Sequence, residues 1–354
     1  MTVYVVTFVI ALVVTYIFTP IVKKLAFRVG AVDKPDARKV HTGSIPRLGG
    51  LAIYIGYIVG VILAATMFDN WEANQYIVGL LLGSTVLVGV GIWDDIKQIE
   101  PKTKLLGQIT AALILTFFGI RIGFITNPWG QIMYLDTWIS IPLTVFWIIG
   151  FTNIVNLIDG LDGLAAGISL IACAAIFTVT VQIGQVELAC LILALAGAAC
   201  GFLRYNFNPA KIFMGDTGSM LLGYTMAAIS VISAAKTAAT IALVVPVIVL
   251  GLPILDTTFA IIRRYLNGKP IFKPDKGHVH HRLLALGLSQ KQAVLMMYAI
   301  TAILGCLAVL ITRINVLLGI LVVFIILGVS TFIAVKLGVV YKADKDENGK
   351  NDKH

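Results

Sequence analysis

The stretch IPLTVFWIIGFTNIVNLIDGLDGLA, residues 141–165, joins a long apolar run to a cluster of polar side chains. As a helix, residues 141–158 are long enough to cross a hydrocarbon core about 30 Å thick. Asn153, Asn156 and Asp159 recur every third residue, which keeps them on one side of that helix. The stretch therefore predicts a membrane-spanning helix that carries a polar site at its end.

The composition extends this prediction to the whole chain of 354 residues. The chain is 58% hydrophobic and 13% charged, whereas a soluble globular protein is about 25% charged. This balance excludes a soluble globular protein, and we predict an all-α integral membrane protein, a polytopic bundle of about eleven transmembrane helices. The predicted spans cover residues 3–22, 49–68, 76–92, 105–120, 141–158, 164–181, 187–203, 218–235, 239–262, 292–311 and 316–335.

The positive charges predict how the bundle lies in the membrane. The formal charge is +9, and 24 of the 27 Lys and Arg residues fall in alternate loops and in the C-terminal tail. Because cytoplasmic loops collect Lys and Arg, this bias predicts an N-terminus outside and a C-terminus in the cytoplasm. It also explains the charge without a nucleic-acid partner. We predict one transmembrane domain over residues 1–335, a polar, disordered tail at 336–354, and an outer hairpin of residues 123–126 and 131–135.

Five carboxylates lie at the predicted cytoplasmic ends of spans. A carboxylate at the centre of a span costs roughly 2.5 to 3.5 kcal/mol, and less near the interface. Any one of them is explained by a helix end that faces water, and Asp216 by capping the span that follows it. The five together, in glycine-rich motifs, instead predict one site on the cytoplasmic face. They are Asp94, Asp95, Asp159, Asp162 and Asp216.

The chemistry of these side chains indicates a hard cation and phosphate. Oxygen ligands without thiolates favour Mg²⁺ or Mn²⁺, which normally arrive with substrate phosphates. Lys97 and Lys104 follow the Asp94-Asp95 pair and suit bound phosphate. The GxxxxGK[ST] signature of a Walker loop is absent from the sequence. The motifs therefore predict phosphoryl transfer at the inner membrane surface.

A further cluster lies between Arg263 and Lys291, where the sequence reads HVHHR at residues 278–282. Zinc is one interpretation of the three histidines, but a fourth ligand is missing and the neighbouring residues are cationic. Histidine and arginine beside a carboxylate-rich surface better suit a diphosphate or a sugar. Ser289 is expected to cap the next span, and Asp256 is interpreted as a structural partner of Arg263.

Four motifs of this sequence, in the order in which they occur along the chain, resemble those of the polyprenyl-phosphate N-acetylhexosamine-1-phosphate transferases. The likeness covers nearly the whole chain. Segments 38–41 and 46–50, together with the His-x-His-His loop, resemble the branch that uses UDP-N-acetylglucosamine (UDP-GlcNAc). The muramoyl-pentapeptide branch has three consecutive histidines, a run that Val279 interrupts here. The motifs are Asp-Asp-Ile-Lys at 94–97, Asn-Leu-Ile-Asp-Gly-Leu-Asp-Gly-Leu-Ala at 156–165, Phe-Met-Gly-Asp-Thr-Gly-Ser at 213–219 and His-Val-His-His-Arg at 278–282.

The resemblance implies a reaction in the bacterial plasma membrane between undecaprenyl phosphate and UDP-GlcNAc, which gives undecaprenyl-diphospho-GlcNAc and UMP. This step initiates a cell-envelope polysaccharide such as wall teichoic acid or O-antigen. It implies Asn156 and Asp216 as Mg²⁺ ligands, with Mn²⁺ as a substitute. The candidate catalytic residues are Asp94, Asp95, Asp159, His278, His280 and His281. The candidate substrate-binding residues are Arg47, Lys97, Lys104, Asn153, Asp162, Phe213 and Arg282.

Several alternatives stay open at this point. The closest is phospho-MurNAc-pentapeptide transfer for peptidoglycan synthesis, and a homodimer stays open as an assembly. Outside enzymes, a secondary transporter predicts polar residues near midspan, whereas here they lie at the span ends. A lipid scaffold explains the basic loops but not the Asn156-x-x-Asp-x-x-Asp pattern.

Two site residues also have alternative interpretations. Phe213 by itself is typical of an interfacial aromatic. Asp94 as a nucleophile is the alternative to direct attack by the lipid phosphate.

Overall fold

A computed structural model of the protein describes residues 1–33, 43–67, 75–127, 131–237, 241–266, 268 and 278–314, with scattered positions between 318 and 331. The predicted tail at 336–354 and the segment 38–41 lie outside these residues. So do most of the predicted span 316–335 and the middle of the loop that precedes the histidines.

The described residues are mostly helical, as the composition predicts. Their helices are α1 (Thr2–Val29), α2 (Gly49–Thr66), α3 (Gln75–Lys97), α4 (Pro101–Phe117), α5 (Thr137–Leu157), α6 (Leu164–Gln182), α7 (Val186–Asn206), α8 (Gly215–Thr237), α9 (Ile241–Val249), α10 (Gly251–Leu266), α11 (Val279–Ala285) and α12 (Gln290–Ile311). Two short antiparallel pairs complete the fold: β1 (Val32–Asp33) with β2 (Ile45–Pro46), and β3 (Phe124–Thr126) with β4 (Ile132–Tyr134).

The described helices correspond to most of the eleven predicted spans, and most of the last one lies outside the described residues. Eight described helices are long and apolar enough to cross a membrane, and the bent pair α9 and α10 raises this number to nine. The sequence predicts a single span at 239–262, with breaks at its two prolines, and the structure forms it as two helices with a bend of 69° between them. Pro246 and Pro253 provide the physical reason, because proline cannot donate a helical hydrogen bond. The short α4, of 17 residues, corresponds to the predicted span 105–120.

Helix α8 is the centre of the bundle. Of its most apolar window, 94% is buried, and it packs against α2, α3 and α5. Gly50 at the start of α2 lies so close to Gly218 in α8 that a side chain at Gly50 would overlap the Gly218 backbone. This approach holds the beginning of α8 against the beginning of α2.

The polar motifs converge on one end of the bundle, which we call the motif end. Helices α3, α5, α7 and α10 finish at this end, whereas α4, α6, α8 and α12 begin there. The opposite end carries the hairpin β3–β4, in which Ile125 pairs with Met133, so the predicted hairpin is confirmed. The convergence brings together motifs that lie far apart in the sequence.

Candidate active site at the motif end

Asp95 is buried at the contact between α3 and α8. Its carboxylate accepts hydrogen bonds from the backbone N–H of Asp216 at 2.9 Å and from the backbone N–H of Thr217 at 3.1 Å. It also accepts a bond of 2.6 Å from the Thr217 hydroxyl. The first N–H groups of a helix have no partner within the helix, so a carboxylate there stabilises the helix start. Asp95, and not Asp216, therefore caps α8.

Gly215 makes this capping contact possible. Its φ of 71° lies in the left-handed region that favours glycine. A side chain at this position would also overlap the Asp95 carboxylate. The glycine therefore lets α3 and the start of α8 approach closely.

Asp94, the neighbour of Asp95, has a different environment. It is partly exposed, and its Oδ1 accepts a bond of 2.9 Å from the backbone N–H of Ile99. Arg47 donates from Nε to the Asp95 carbonyl oxygen at 3.1 Å and from Nη2 to the Asp94 carbonyl oxygen at 3.4 Å. The guanidinium therefore covers the negative end of α3. Lys97 is exposed in the last turn of the same helix.

The segment that contains Arg47 also fixes the loop before α8. The Phe213 N–H donates to the Pro46 carbonyl at 2.8 Å, and the Gly49 N–H donates to the Phe213 carbonyl at 3.0 Å. The Gly50 N–H donates to the Met214 carbonyl at 2.8 Å. These backbone bonds set the position of Phe213, whose side chain is partly exposed.

Lys104, Asn156 and Asp216 form a cluster in which each side chain contacts the other two. The Lys104 ammonium forms an ion pair with Asp216 Oδ2 and donates to Asn156 Oδ1 at 3.1 Å. Asn156 Nδ2 donates to Asp216 Oδ1 at 3.0 Å and to Ser219 Oγ at 2.8 Å. The ends of α4, α5 and α8 supply these residues, so the cluster joins three helices.

This cluster fits a hard cation. Asn156 Oδ1 and Asp216 Oδ2 already bind one positive charge between them, the Lys104 ammonium. Mg²⁺ is usually held by one or two protein carboxylates and completes its shell with water and substrate phosphates. Among the residues that the structure describes, no group of three or more His, Cys, Asp or Glu side chains is arranged as a metal centre.

Asn153 lies one turn from this cluster and has a partner that the sequence prediction missed. It donates to Gln108 Oε1 at 2.8 Å, and Gln108 donates back to Asn153 Oδ1 at 3.2 Å. Asn153 also donates to the Ile149 carbonyl at 2.9 Å. The signal was available, because Gln108 is a polar residue inside an otherwise apolar predicted span.

Asp162 holds the turn that follows α7. Its Oδ2 accepts from Asn208 Nδ2 at 3.0 Å and from the Ala210 N–H at 2.9 Å. The preceding Asp159 is partly buried, and burial, followed by the nearby charges of Asp95 and Asp162, raises the pKa of Asp159 to about 7. Near neutral pH this carboxyl group therefore exists partly in its protonated form.

Helix α11 brings the histidine motif to the same end of the bundle. The Nε2 of His280 packs against Gly160, so closely that a side chain there would meet the ring. The ring centroids of His281 and His280 lie 4.3 Å apart, and those of His278 and His280 lie 5.7 Å apart. Burial, followed by the neighbouring His281, lowers the pKa of His280 to about 3. The His280 ring is therefore neutral at pH 7.

Arg282, the residue after His281, has a buried hydrogen-bond donor without a partner. Its Nε finds no hydrogen-bond partner within the described part of the chain. A buried donor without a partner costs about 1–3 kcal/mol, more for a charged group, so such a group is suited to a ligand with acceptor oxygens.

The candidate residues other than Lys97 and Arg282 thus fall into two contact groups at one end of the bundle. The first surrounds the start of α8 and contains Arg47, Asp94, Asp95, Lys104, Asn153, Asn156, Phe213 and Asp216. The second surrounds the turn between α5 and α6 and contains Asp159, Asp162 and the α11 histidines. An ammonium and a guanidinium beside carboxylates that suit a hard cation are a combination typical of diphosphate binding.

Comparison with known proteins gives a consistent picture. Residues 77–234 match the family model described as glycosyl transferase family 4. A Bacillus subtilis (strain 168) protein named probable undecaprenyl-phosphate N-acetylglucosaminyl 1-phosphate transferase is 43% identical over 336 residues, which cover 95% of this chain and 92% of that protein.

Two further relatives carry different names. A decaprenyl-phosphate N-acetylglucosaminephosphotransferase of Mycobacterium tuberculosis (strain ATCC 25618 / H37Rv) is 39% identical over 81% of this chain and 77% of its own length. A phospho-N-acetylmuramoyl-pentapeptide-transferase of Bacillus cytotoxicus is 33% identical over 86% of this chain and 95% of its own length. All three relatives are named as transferases of a phosphosugar.

Proposed function

Because the chain belongs to glycosyl transferase family 4, we propose that this membrane phosphoglycosyl transferase moves GlcNAc-1-phosphate from UDP-GlcNAc to undecaprenyl phosphate. In this reaction an oxygen of the lipid phosphate bonds to the β-phosphorus of the donor. The bond from that phosphorus to the bridging oxygen breaks, and UMP leaves. The lipid product is undecaprenyl-diphospho-GlcNAc.

The observation that carries this proposal is the cluster of Lys104, Asn156 and Asp216 at the start of α8. It combines an oxygen pair for a hard cation with an ammonium for phosphate, and it is built from three helices. A phosphoryl transfer needs mainly positioning and charge neutralisation, which such a preorganised cluster supplies.

We propose Mg²⁺ as the cofactor, with Asn156 and Asp216 as its protein ligands. When bound, Mg²⁺ would neutralise charge on the donor diphosphate and help UMP to leave. Lys104 would then move from Asp216 to a phosphate oxygen, because its side chain is flexible and its charge is no longer needed at the carboxylate.

The remaining roles follow from exposure and charge. Arg282, with its buried unsatisfied Nε, is placed to bind a donor phosphate oxygen. Asp94 is partly exposed, and we propose that it lies beside the lipid phosphate, whereas the buried Asp95 keeps the start of α8 in place. A phosphate oxygen is already nucleophilic near pH 7, so we propose direct attack without a covalent aspartyl intermediate.

The donor sugar is the finer part of the proposal. Relatives of both the N-acetylglucosaminyl and the muramoyl-pentapeptide type match this chain, with the higher identity to the first type. Val279 is buried within the histidine motif and separates His278 from the His280-His281 pair, as in the branch that uses UDP-GlcNAc. This pattern favours a small N-acetylhexosamine, and the product would start wall teichoic acid, O-antigen or a similar bacterial polymer.

The direct experiment measures UMP release by the purified protein with Mg²⁺ and undecaprenyl phosphate. UDP-GlcNAc and UDP-MurNAc-pentapeptide are compared in one preparation. We expect turnover with the first donor and none with the second. Faster turnover of the pentapeptide donor would move the chain to the muramoyl branch, and a folded protein that releases UMP from neither donor would contradict the enzymatic proposal.

A further inference from the structure

Asp256 is a buried carboxylate in α10 that lies outside all four motifs. It is 4% exposed, and both of its oxygens accept hydrogen bonds from the histidine segment. Oδ2 lies 3.0 Å from Nδ1 of His278, and Oδ1 accepts from the backbone N–H of Val279 at 2.9 Å. A buried carboxylate needs such partners, because an unpaired charge there is strongly destabilising.

The two hydrogen bonds to Asp256 hold different parts of the histidine segment, the start of α11 and the side chain of His278. The bond to Val279 satisfies the first N–H group of α11 and anchors the helix on α10. The bond to His278 fixes a side chain, because an ionised carboxylate only accepts, so the hydrogen between the two groups belongs to Nδ1. The ring contact therefore sets both the orientation of His278 and its tautomer.

The surroundings extend this constraint to the site. The His278 ring lies parallel to the His280 ring, with an interplanar angle of 3° and 5.7 Å between centroids. His280 packs against Gly160, in the turn that carries Asp159. Asp256, the two rings and this turn thus form a continuous series of contacts from α10 to the catalytic end of α5.

We propose that Asp256 is a positioning residue, which holds the hydrogen of His278 on Nδ1 so that Nε2 is the ring nitrogen that contacts the bound donor. This inference rests on the proposed function, since the donor is the nucleotide sugar. Asp256 does not contact the substrate and acts through His278. Carboxylate partners of metal-bound histidines play the same part, and their loss costs about 10- to 100-fold in metal affinity or activity.

The test compares two variants that each remove one of the two bonds. Asp256→Asn keeps the size of the side chain but presents an NH₂ group, so one of its two donors loses its acceptor. Val279→Pro removes the N–H to Oδ1 and leaves the ring contact intact. Proline is favoured at the first position of a helix, and the extended backbone of His278 (φ −64°, ψ 151°) is compatible with a following proline.

We expect Asp256→Asn to lower kcat about tenfold or more with little change in thermal unfolding, and Val279→Pro to keep most of the wild-type kcat. A positioning role also predicts that Asp256→Asn has little further effect in a His278→Ala background, because coupled residues are not additive. With the hydrogen on Nδ1, Nε2 is an acceptor, so His278→Gln, which can present its amide oxygen near the position of Nε2, should keep more activity than His278→Asn, whose shorter amide reaches only the position of Nδ1.

The nitrogen NMR spectrum of ¹⁵N-histidine-labelled protein provides a readout that is independent of turnover. The chain has 5 histidines, and the His278→Gln variant assigns the signals of interest. We expect a proton on Nδ1 of His278 in the wild type and a shift toward the Nε2–H form in Asp256→Asn. The same ring signals in both proteins, or equal loss of kcat in Asp256→Asn and Val279→Pro, would overturn the proposal. If the wild-type protein showed no turnover, the proposed function would be contradicted. The NMR result would then still test the contact between Asp256 and His278.

Discussion

The carboxylate of Asp95 accepts a hydrogen bond of 2.9 Å from the backbone N–H of Asp216, 121 positions later in the chain. One aspartate thus caps the helix that presents another. The contact separates the two members of the Asp94-Asp95 pair, since Asp95 is buried and Asp94 is partly exposed. It also makes the position of Asp216, and of the proposed metal site, depend on α3.

This division of roles predicts different outcomes for two neighbouring substitutions. Asp95→Asn should lower the free energy of unfolding by about 1–3 kcal/mol, because an amide cannot accept all three bonds. Asp94→Asn should leave unfolding nearly unchanged and lower turnover, since an amide oxygen still accepts the Ile99 N–H. Thermal unfolding in detergent and UMP release are the measurements. Equal unfolding temperatures for the two variants would contradict the capping role of Asp95.

The proposed metal site predicts that activity depends on Mg²⁺ through Asp216. Asp216→Asn should fold normally yet lose most of its turnover, because the charge that binds the cation is worth several kcal/mol in the transition state. Chelation of Mg²⁺ should abolish wild-type turnover, and added Mg²⁺ should restore it.

The matched control is Glu187→Gln, the same chemical change in an exposed ion pair with Lys236 at the opposite end of the bundle. It should keep wild-type activity. Substantial turnover of Asp216→Asn at ordinary Mg²⁺ concentrations would remove Asp216 from the metal site.

The lowered pKa of His280 predicts how stability changes with acidity. Its folded-state value of about 3 lies below the ordinary 6.5, so the unfolded state binds the proton more readily. This contribution to stability is complete above pH 6.5 and is lost as the pH falls toward 3. Between pH 7.5 and pH 5 the loss from this residue is about 2 kcal/mol.

Thermal unfolding at these two pH values tests the prediction. The difference between them should be smaller in His280→Gln than in the wild type, since the variant has no group to protonate there. His354→Gln, at the end of the chain, should behave as the wild type. The groups near His280 that also titrate or carry charge include His278, His281, Asp256, Asp159 and Arg282, and they are common to all three proteins.

The charge bias of the loops predicts that the motif end faces the cytoplasm. In a background without the native cysteines, Ser44→Cys lies at the motif end and Gln131→Cys at the hairpin end, and both positions are exposed. An impermeant thiol reagent added to intact cells should label position 131 and not position 44. The reverse labelling pattern would show that the motif end faces outward and would contradict the predicted orientation.

Local features of the fold could be predicted well from the sequence. The Ser289 cap of α12 is present as a full capping box with Gln292, because the signal lies within four residues. The hairpin β3–β4 is likewise formed by neighbouring residues. The motifs themselves indicated one shared site, because their polar residues lie at the same ends of the spans.

The roles of individual site residues could not be predicted in the same way. Adjacent residues on a helix point about 100° apart, so the sequence does not reveal that Asp95 rather than Asp94 faces α8. Asp256 was interpreted as a partner of Arg263 from its spacing along one helix, and that pairing stays a prediction. The same spacing could not reveal that its carboxylate also binds His278 and Val279 across a loop. Such contacts depend on how separate helices pack, which a single sequence does not encode locally.

The proposed reaction requires the donor's β-phosphate to move together with the sugar, and the partition of two isotopes between lipid and water measures this movement. UDP-GlcNAc labelled with ³²P at the β-phosphate and with ³H in the sugar is incubated with the purified protein, Mg²⁺ and undecaprenyl phosphate, and the lipid is extracted. The account predicts both labels in the lipid at the donor's own ratio, with unlabelled UMP in the water phase. Tritium in the lipid with ³²P left in aqueous UDP would show transfer of the sugar alone and would contradict the account.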